Sequence, residues 1–172
     1  SGQVKRMKHV ELVCEFMASI QAKGLINKKK ALDGIIGGQF GDQSSIRKSA
    51  QETIRILNLI IKMFPDLKTT RFRNSADLYS LFALVWEMDQ DGFILSNKKR
   101  NQQAEKLLKW LSSGVDIVRE QQRKAKGAGT DQRLFADYLL TVQGDTDSLA
   151  TRQRRAEILK KVFGGLFEKK DE

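Results

Sequence analysis

Proline occurs once in this chain, at Pro65. Helix interiors exclude proline because its ring removes an amide donor and collides with the preceding turn. The spans 1–64 and 66–172 are therefore open to long helices, and the alternation of Val, Ile, Thr and Tyr that marks strands is almost missing from them. Apolar residues instead recur at helical spacing. The expected fold is all-α: a compact bundle of about seven helices forming one domain over residues 1–168, with a frayed tail at 169–172.

The first helix is expected over 3–22, with Met7, Val10, Cys14, Met17 and Ile20 on one apolar face, Val13 beside them and Gly24 ending it. A shorter helix follows over 28–37, and Gly34, Gly37, Gly38 and Gly41 read as its flexible exit. Ser44 or Ser45 is placed to cap a third helix running to Phe64, with Ile46, Ala50, Ile54, Leu57, Ile61 and Phe64 in one stripe. Ile56, Leu59 and Ile60 add apolar surface on its other sides, which predicts a central position. After Pro65, Asn74 or Ser75 caps a helix to Met88 that buries Leu78, Leu81, Phe82, Val85 and Met88, with Tyr79 and Trp86 on its flank. A long helix over 97–125 turns Ala104, Leu107, Leu108, Leu111, Val115 and Val118 inward, with Trp110 at the edge of that stripe. Beyond a loop at 126–130, one helix carries Leu134, Phe135, Tyr138 and Leu139. The last starts near Ser148 and carries Ala156, Leu159, Val162, Phe163 and Leu166.

The net charge of +10 is unevenly placed. Residues 1–41 hold seven basic and three acidic side chains, 42–91 hold seven of each, and 92–172 hold seventeen basic and eleven acidic. This balance is open to nucleic acid, to an acidic partner or to a membrane surface. No apolar run reaches the roughly 18 residues of a membrane span, so no membrane partner is expected. The opening SGQVKRMKHV is not a signal peptide, and Cys14 has no second cysteine to pair with. Both fit a reducing, cytoplasmic setting. No methionine precedes Ser1-Gly2, so the chain begins either with a cloning remnant or inside a longer polypeptide.

Catalytic patterns fail one by one. His9 is the sole histidine, and a zinc site would have to draw on Cys14 and scattered carboxylates. The glycines of GIIGGQFGDQ lack a following Gly-Lys-Ser/Thr and a preceding strand, so they are no phosphate loop. Aligning Asp89, Asp91 and Gly92 as a calcium loop puts Lys98 where a bidentate glutamate is needed. Cys14 lies on an apolar face and reads as packing. No catalytic residue, metal ligand or cofactor is expected.

Arg152, Arg154 and Arg155 fall where the last helix begins, at the end whose dipole disfavours cations. Arg152 and Arg155 are three apart and share a face. The first reading is structural: a forked bond to a carboxylate such as Asp77 or Glu11, with that face packed on the first or fourth helix. The rival reading is phosphate contact. Residues 97–126 carry nine basic and three acidic side chains, and the candidate nucleic-acid set is Lys98, Lys99, Arg100, Arg119, Arg123, Lys124, Arg152, Arg154 and Arg155.

Three separated segments resemble, in order and spacing, the helical half of the GmrSD-type restriction and defence family. VKRMKHVELVCEFMA at 4–18 resembles its R-R/M-x-x-x-E-L helix, FRNSADLYSLFALV at 72–85 its F-R-x-x-x-D-x-Y-x-L-F segment, and FADYLLTVQGDTDSLATRQRRAEIL at 135–159 its closing helix pair. Arg6, Glu11, Arg73, Asp77, Tyr79, Arg152 and Arg155 match the family's polar pattern. The resemblance implies a bacterial or phage-defence, nucleotide-dependent nuclease whose ParB/sulfiredoxin-like half carries an Asp-Gly-Gln-Gln-Arg motif. That motif is absent here, as is any His-Asn-His module, so none of that chemistry transfers to these residues. The expectation is a noncatalytic accessory domain that packs on a ParB-like catalytic half in the same or a partner chain, with DNA as a further contact. A stand-alone nucleic-acid-binding module and a protein-interaction module are the alternatives.

Overall fold

The computed structural model describes residues 2–94, 97–122 and 130–169. Seven helices account for most of them: α1 (Gly2–Ala22), α2 (Lys28–Ile36), α3 (Gln43–Met63), α4 (Ser75–Gln90), α5 (Lys98–Gln122), α6 (Thr130–Thr141) and α7 (Leu149–Phe163). Pro65 ends α3 as anticipated, and two 3-10 turns, Leu67–Thr69 and Arg71–Arg73, carry the chain from there to α4. Asp42, not Ser44 or Ser45, caps α3, its carboxylate accepting from the Ser45 amide at 2.8 Å. Ser148 caps α7 through the Thr151 amide. Gly41 holds φ at +92°, which lets the chain turn sharply into the Asp42 cap.

The bundle is built around α4. Nine of its sixteen residues are buried, including Leu81, Phe82, Leu84, Val85, Trp86 and Met88, and it packs on α1, α3 and α7. Phe16 of α1 stacks on Phe82 with ring centroids 4.1 Å apart. α5 closes the other side through Ala104, Leu108, Leu111, Val115 and Val118, and lies against α6. At Gly114 the two come so close that an added Cβ would sit 2.3 Å from the Phe135 ring.

The central position expected for α3 belongs to α4. α3 touches α1, α4 and α5 but buries one face, and the stripe expected to be buried is not that face. Ser49, Thr53, Ile56, Ile60 and Met63 point inward, while Ile54 and Ile61 are exposed. The reason is local hydrogen bonding: the Ser49 hydroxyl donates to Ser45 and Ile46 carbonyls, and Thr53 Oγ1 donates to the Ser49 carbonyl. Each polar group is satisfied within its own helix, so the face can be buried. α1 is rotated likewise: Glu15, Phe16, Met17 and Ser19 are buried, and Met7, Val10 and Val13 are exposed.

One short extended pairing was not anticipated. Phe93–Ile94 pairs antiparallel with Glu168–Lys169, two residues each, tying the end of the chain beside the α4–α5 connection. The tail expected at 169–172 thus begins with Lys169 inside this pairing; 170–172 lie outside the described residues.

Candidate functional site

Arg152 and Arg155 lie on the inward face of α7, 1% and 0% exposed. Arg152 Nη2 pairs with Glu15 of α1 and donates to Asp147 at 3.3 Å; Nη1 donates to the Ile26 carbonyl at 3.0 Å. Its guanidinium lies over the Tyr79 ring, 3.8 Å from the centroid. Tyr79 in turn bonds the Ser19 hydroxyl at 2.7 Å and accepts from the Ile26 amide at 3.0 Å. Lys28 adds a second cation, 3.6 Å from Glu15 and 3.4 Å from Glu11. Partial burial would lower the Lys28 pKa, but Glu15, Asp147 and Glu11 outweigh it and hold the ammonium above its ordinary value.

Arg155, the seventh residue of α7 and so past its first turn, is held by backbone carbonyls. Its Nη1 donates to the carbonyl of Thr141, the last residue of α6, and Nη2 to the Thr146 carbonyl at 3.0 Å, while Nε donates to Ser80 Oγ at 2.6 Å. The C-terminal end of α6, with its unpaired carbonyls, thus receives part of the guanidinium. Burial still pushes the Arg155 pKa down, opposed by Tyr138 and Asp77. Next to it, buried Asp77 accepts from Arg71 Nε at 3.0 Å and from the Tyr138 hydroxyl at 2.7 Å. Burial, and then the Asp77 charge, raise the Tyr138 phenol well above its usual pKa.

These contacts correct the candidate set. Arg152 and Arg155 are not available to phosphate, because both guanidiniums are enclosed and bonded within the bundle. Arg152 does meet a buried carboxylate, but not as a fork and not the one expected: Nη2 alone reaches Glu15, Nη1 goes to the Ile26 carbonyl, Glu11 pairs with Lys28, and Asp77 is taken by Arg71. Arg154 is exposed but faces Asp137 at 3.3 Å, and Arg119 lies 3.9 Å from Asp116. Lys98 and Lys99 stand exposed at the start of α5, with Arg100 half-buried beside them. Arg123 and Lys124 lie outside the described residues. Arg6 and Arg73 are exposed, so the polar pattern Arg6, Glu11, Arg73, Asp77 and Tyr79 divides into two buried members and three on the surface or its edge. Glu15, Arg71 and Tyr138 were missed. Glu15 and Tyr138 sit on apolar faces where only a buried partner makes them tolerable, and that was the available signal.

Among the described residues, no group of three or more His, Cys, Asp and Glu side chains is placed to hold a metal ion. Burial, with Glu15 and Glu11 nearby, raises the Cys14 thiol pKa, which disfavours the reactive thiolate. Asp89 of the rejected calcium loop instead pairs with Arg55.

The surface tells more. Seven of the eleven large apolar side chains exposed among the described residues are on α1, α2 and α3. Met7 (65%), Val10 (63%), Ile54 (60%) and Ile61 (66%) are the barest on α1 and α3. Gln21 of α1 donates to Ser49 of α3, near the C-terminal end of one helix and the N-terminal end of the other. Helices that meet there and pack along their length run antiparallel, which brings the Met7–Val10 end of α1 to the level of Ile61. Both helices of this antiparallel pair thus carry bare aliphatic side chains. No protein-family model, curated protein or solved structure matches this chain.

Proposed function

We propose that this bundle is a noncatalytic docking module for a separate catalytic half of GmrSD-like type, seated through the outer face of α1 and α3. The observation that carries the reading is the concentration of bare aliphatic side chains there, Met7, Val10, Ile54 and Ile61 above all. Apolar surface gathered on one side marks a place where another polypeptide excludes water. The three-segment resemblance supplies the identity of the occupant: a ParB-like domain bearing Asp-Gly-Gln-Gln-Arg, in the same or a partner chain, of a bacterial defence nuclease. α1 belongs to both lines of support, since Arg6 of its R-x-x-x-x-E-L pattern at Arg6–Leu12 is exposed beside Met7, although Leu12 packs against the core. Removal of Arg152 and Arg155 from the surface subtracts from the nucleic-acid reading.

The parent reading frame and its neighbours are the first test: an Asp-Gly-Gln-Gln-Arg domain upstream or adjacent is expected, and its absence defeats the assignment. The second is co-purification of this chain with that domain. Ile54→Asp with Ile61→Asp is expected to abolish capture while leaving the melting curve unchanged. Capture that survives both substitutions would place the docking surface elsewhere.

A further inference from the structure

On α3, every exposed residue from Arg47 onward falls on a seven-residue repeat. Arg47, Ile54 and Ile61 recur in one lane, Gln51 and Asn58 in the next, and Lys48, Arg55 and Lys62 in a third. In a heptad the first two lanes form a seam and the third its flank. A helix face left to water is normally polar throughout, yet this seam holds two bare isoleucines, with half-buried Leu57 beside them. The flank is basic along its whole length. Arg55 is engaged by Glu52 and Asp89, and Asp42, the acid within range of Lys48, is occupied as the α3 cap. Neither Lys48 nor Lys62 forms a salt bridge among the described residues. They stand two heptads apart, about 21 Å along the helix axis.

We infer that this seam receives an amphipathic helix of the partner protein, aliphatic along its centre and acidic along one flank. The inference rests on the α1–α3 docking face and narrows its occupant from a domain to one element of that domain. The helical shape follows from the repeat. A helix laid alongside returns a side chain to the seam in the same seven-residue rhythm, whereas a strand brings one every second residue and loses register. The acidic flank follows from Lys48 and Lys62, which are answered by carboxylates two heptads apart. A second copy of this chain is the wrong occupant. Laid antiparallel, it would set Lys48, Arg55 and Lys62 against the same three cations; laid parallel, it would offer them Ala50 and Leu57, which carry no charge. A phosphodiester backbone answers the lysines and leaves both isoleucines without apolar cover.

The probe is a fluorescein-labelled peptide of three Glu-Ile-Ala-Ala-Leu-Glu-Lys repeats, titrated by anisotropy at low salt. Its counterpart, with three Lys-Ile-Ala-Ala-Leu-Lys-Glu repeats, keeps the seam and reverses the flanks. The wild-type chain is expected to bind the acidic peptide saturably and to prefer it about tenfold. Lys48→Glu with Lys62→Glu is expected to invert that preference, and Ile61→Ala to weaken the acidic peptide about fivefold. All three positions are exposed, so the melting curves should match wild type. An unchanged preference after charge reversal overturns the inference. So does failure of the wild-type chain to bind, tighter binding of a single-stranded oligonucleotide than of the acidic peptide, or a dimer of the free chain that Ile61→Ala dissociates. The peptides contain no ParB-like sequence, so the two readings fail apart. Capture of a ParB-like domain without discrimination between the peptides overturns the helix and leaves the docking module. Discrimination without such a domain in the parent reading frame supports the helix and removes the identity of that partner.

Discussion

The guanidinium of Arg152 meets a carboxylate, a carbonyl and an aromatic face at once, and each is buried because the others are there. Taking away one partner strands the rest. Arg152→Ala is expected to cost about 3–5 kcal/mol, most of it from leaving Glu15 charged and enclosed. Adding Glu15→Gln to that variant should recover part of the loss, and urea unfolding of both singles and the double gives the coupling directly. Gly114 offers a second test, with the sign reversed from intuition. Alanine in a helix interior is normally better than glycine by roughly 0.5–1 kcal/mol. Here the new methyl would meet the Phe135 ring at 2.3 Å, so Gly114→Ala is expected to destabilise by about 1–3 kcal/mol, read as a lower urea midpoint. No feature of the sequence announced that contact, since it depends on how close α5 and α6 come.

Among the helices, existence and extent were legible and orientation was not. Periodic apolar residues and end signals placed five helices close to their observed limits and gave the existence of the last two, because nucleation, capping and proline exclusion are local effects. Which side of α3 faces inward was not local. Both sides carry isoleucines, and the choice fell to the one whose serine and threonine hydroxyls bond their own helix carbonyls. In α1, Glu15 is acceptable inside only because Arg152, far along the chain, meets it. The candidate docking face became visible only once these rotations were known, since the residues expected in the core proved to be the bare ones. Ile54→Asp and Ile61→Asp should each change folding stability by less than about 0.5 kcal/mol, as surface substitutions do. Ile56→Asp and Ile60→Asp, one or two positions away but buried, should prevent folding. Circular dichroism melts of the four variants distinguish the two faces of α3.

For the molecule as a whole, scarcity of proline and a missing strand pattern were enough to indicate an all-helical bundle, while net charge overstated the number of cations on its surface. Two cations of the basic C-terminal half, Arg152 and Arg155, are spent internally, on Ile26, Glu15, Thr141 and Thr146. Alkaline pH tests the interior. The Tyr138 phenol is held protonated by burial and by Asp77, so its folded-state pKa lies above that of the unfolded chain. Its contribution is complete below about pH 10, the ordinary tyrosine value, and is lost as pH climbs from there towards the folded value. The unfolding free energy should therefore decline above pH 10, and Tyr138→Phe should flatten that decline while tyrosinate absorbance reports the ionisation. The Glu15–Arg152 bond has one last consequence, for biosynthesis. Its ends are 137 positions apart, and the ribosome delivers Glu15 first. Until α7 emerges, α1 carries a carboxylate with no guanidinium to receive it, so this contact between α1 and α7 is among the last of the bundle to form, and a nascent chain stalled short of residue 152 lacks it.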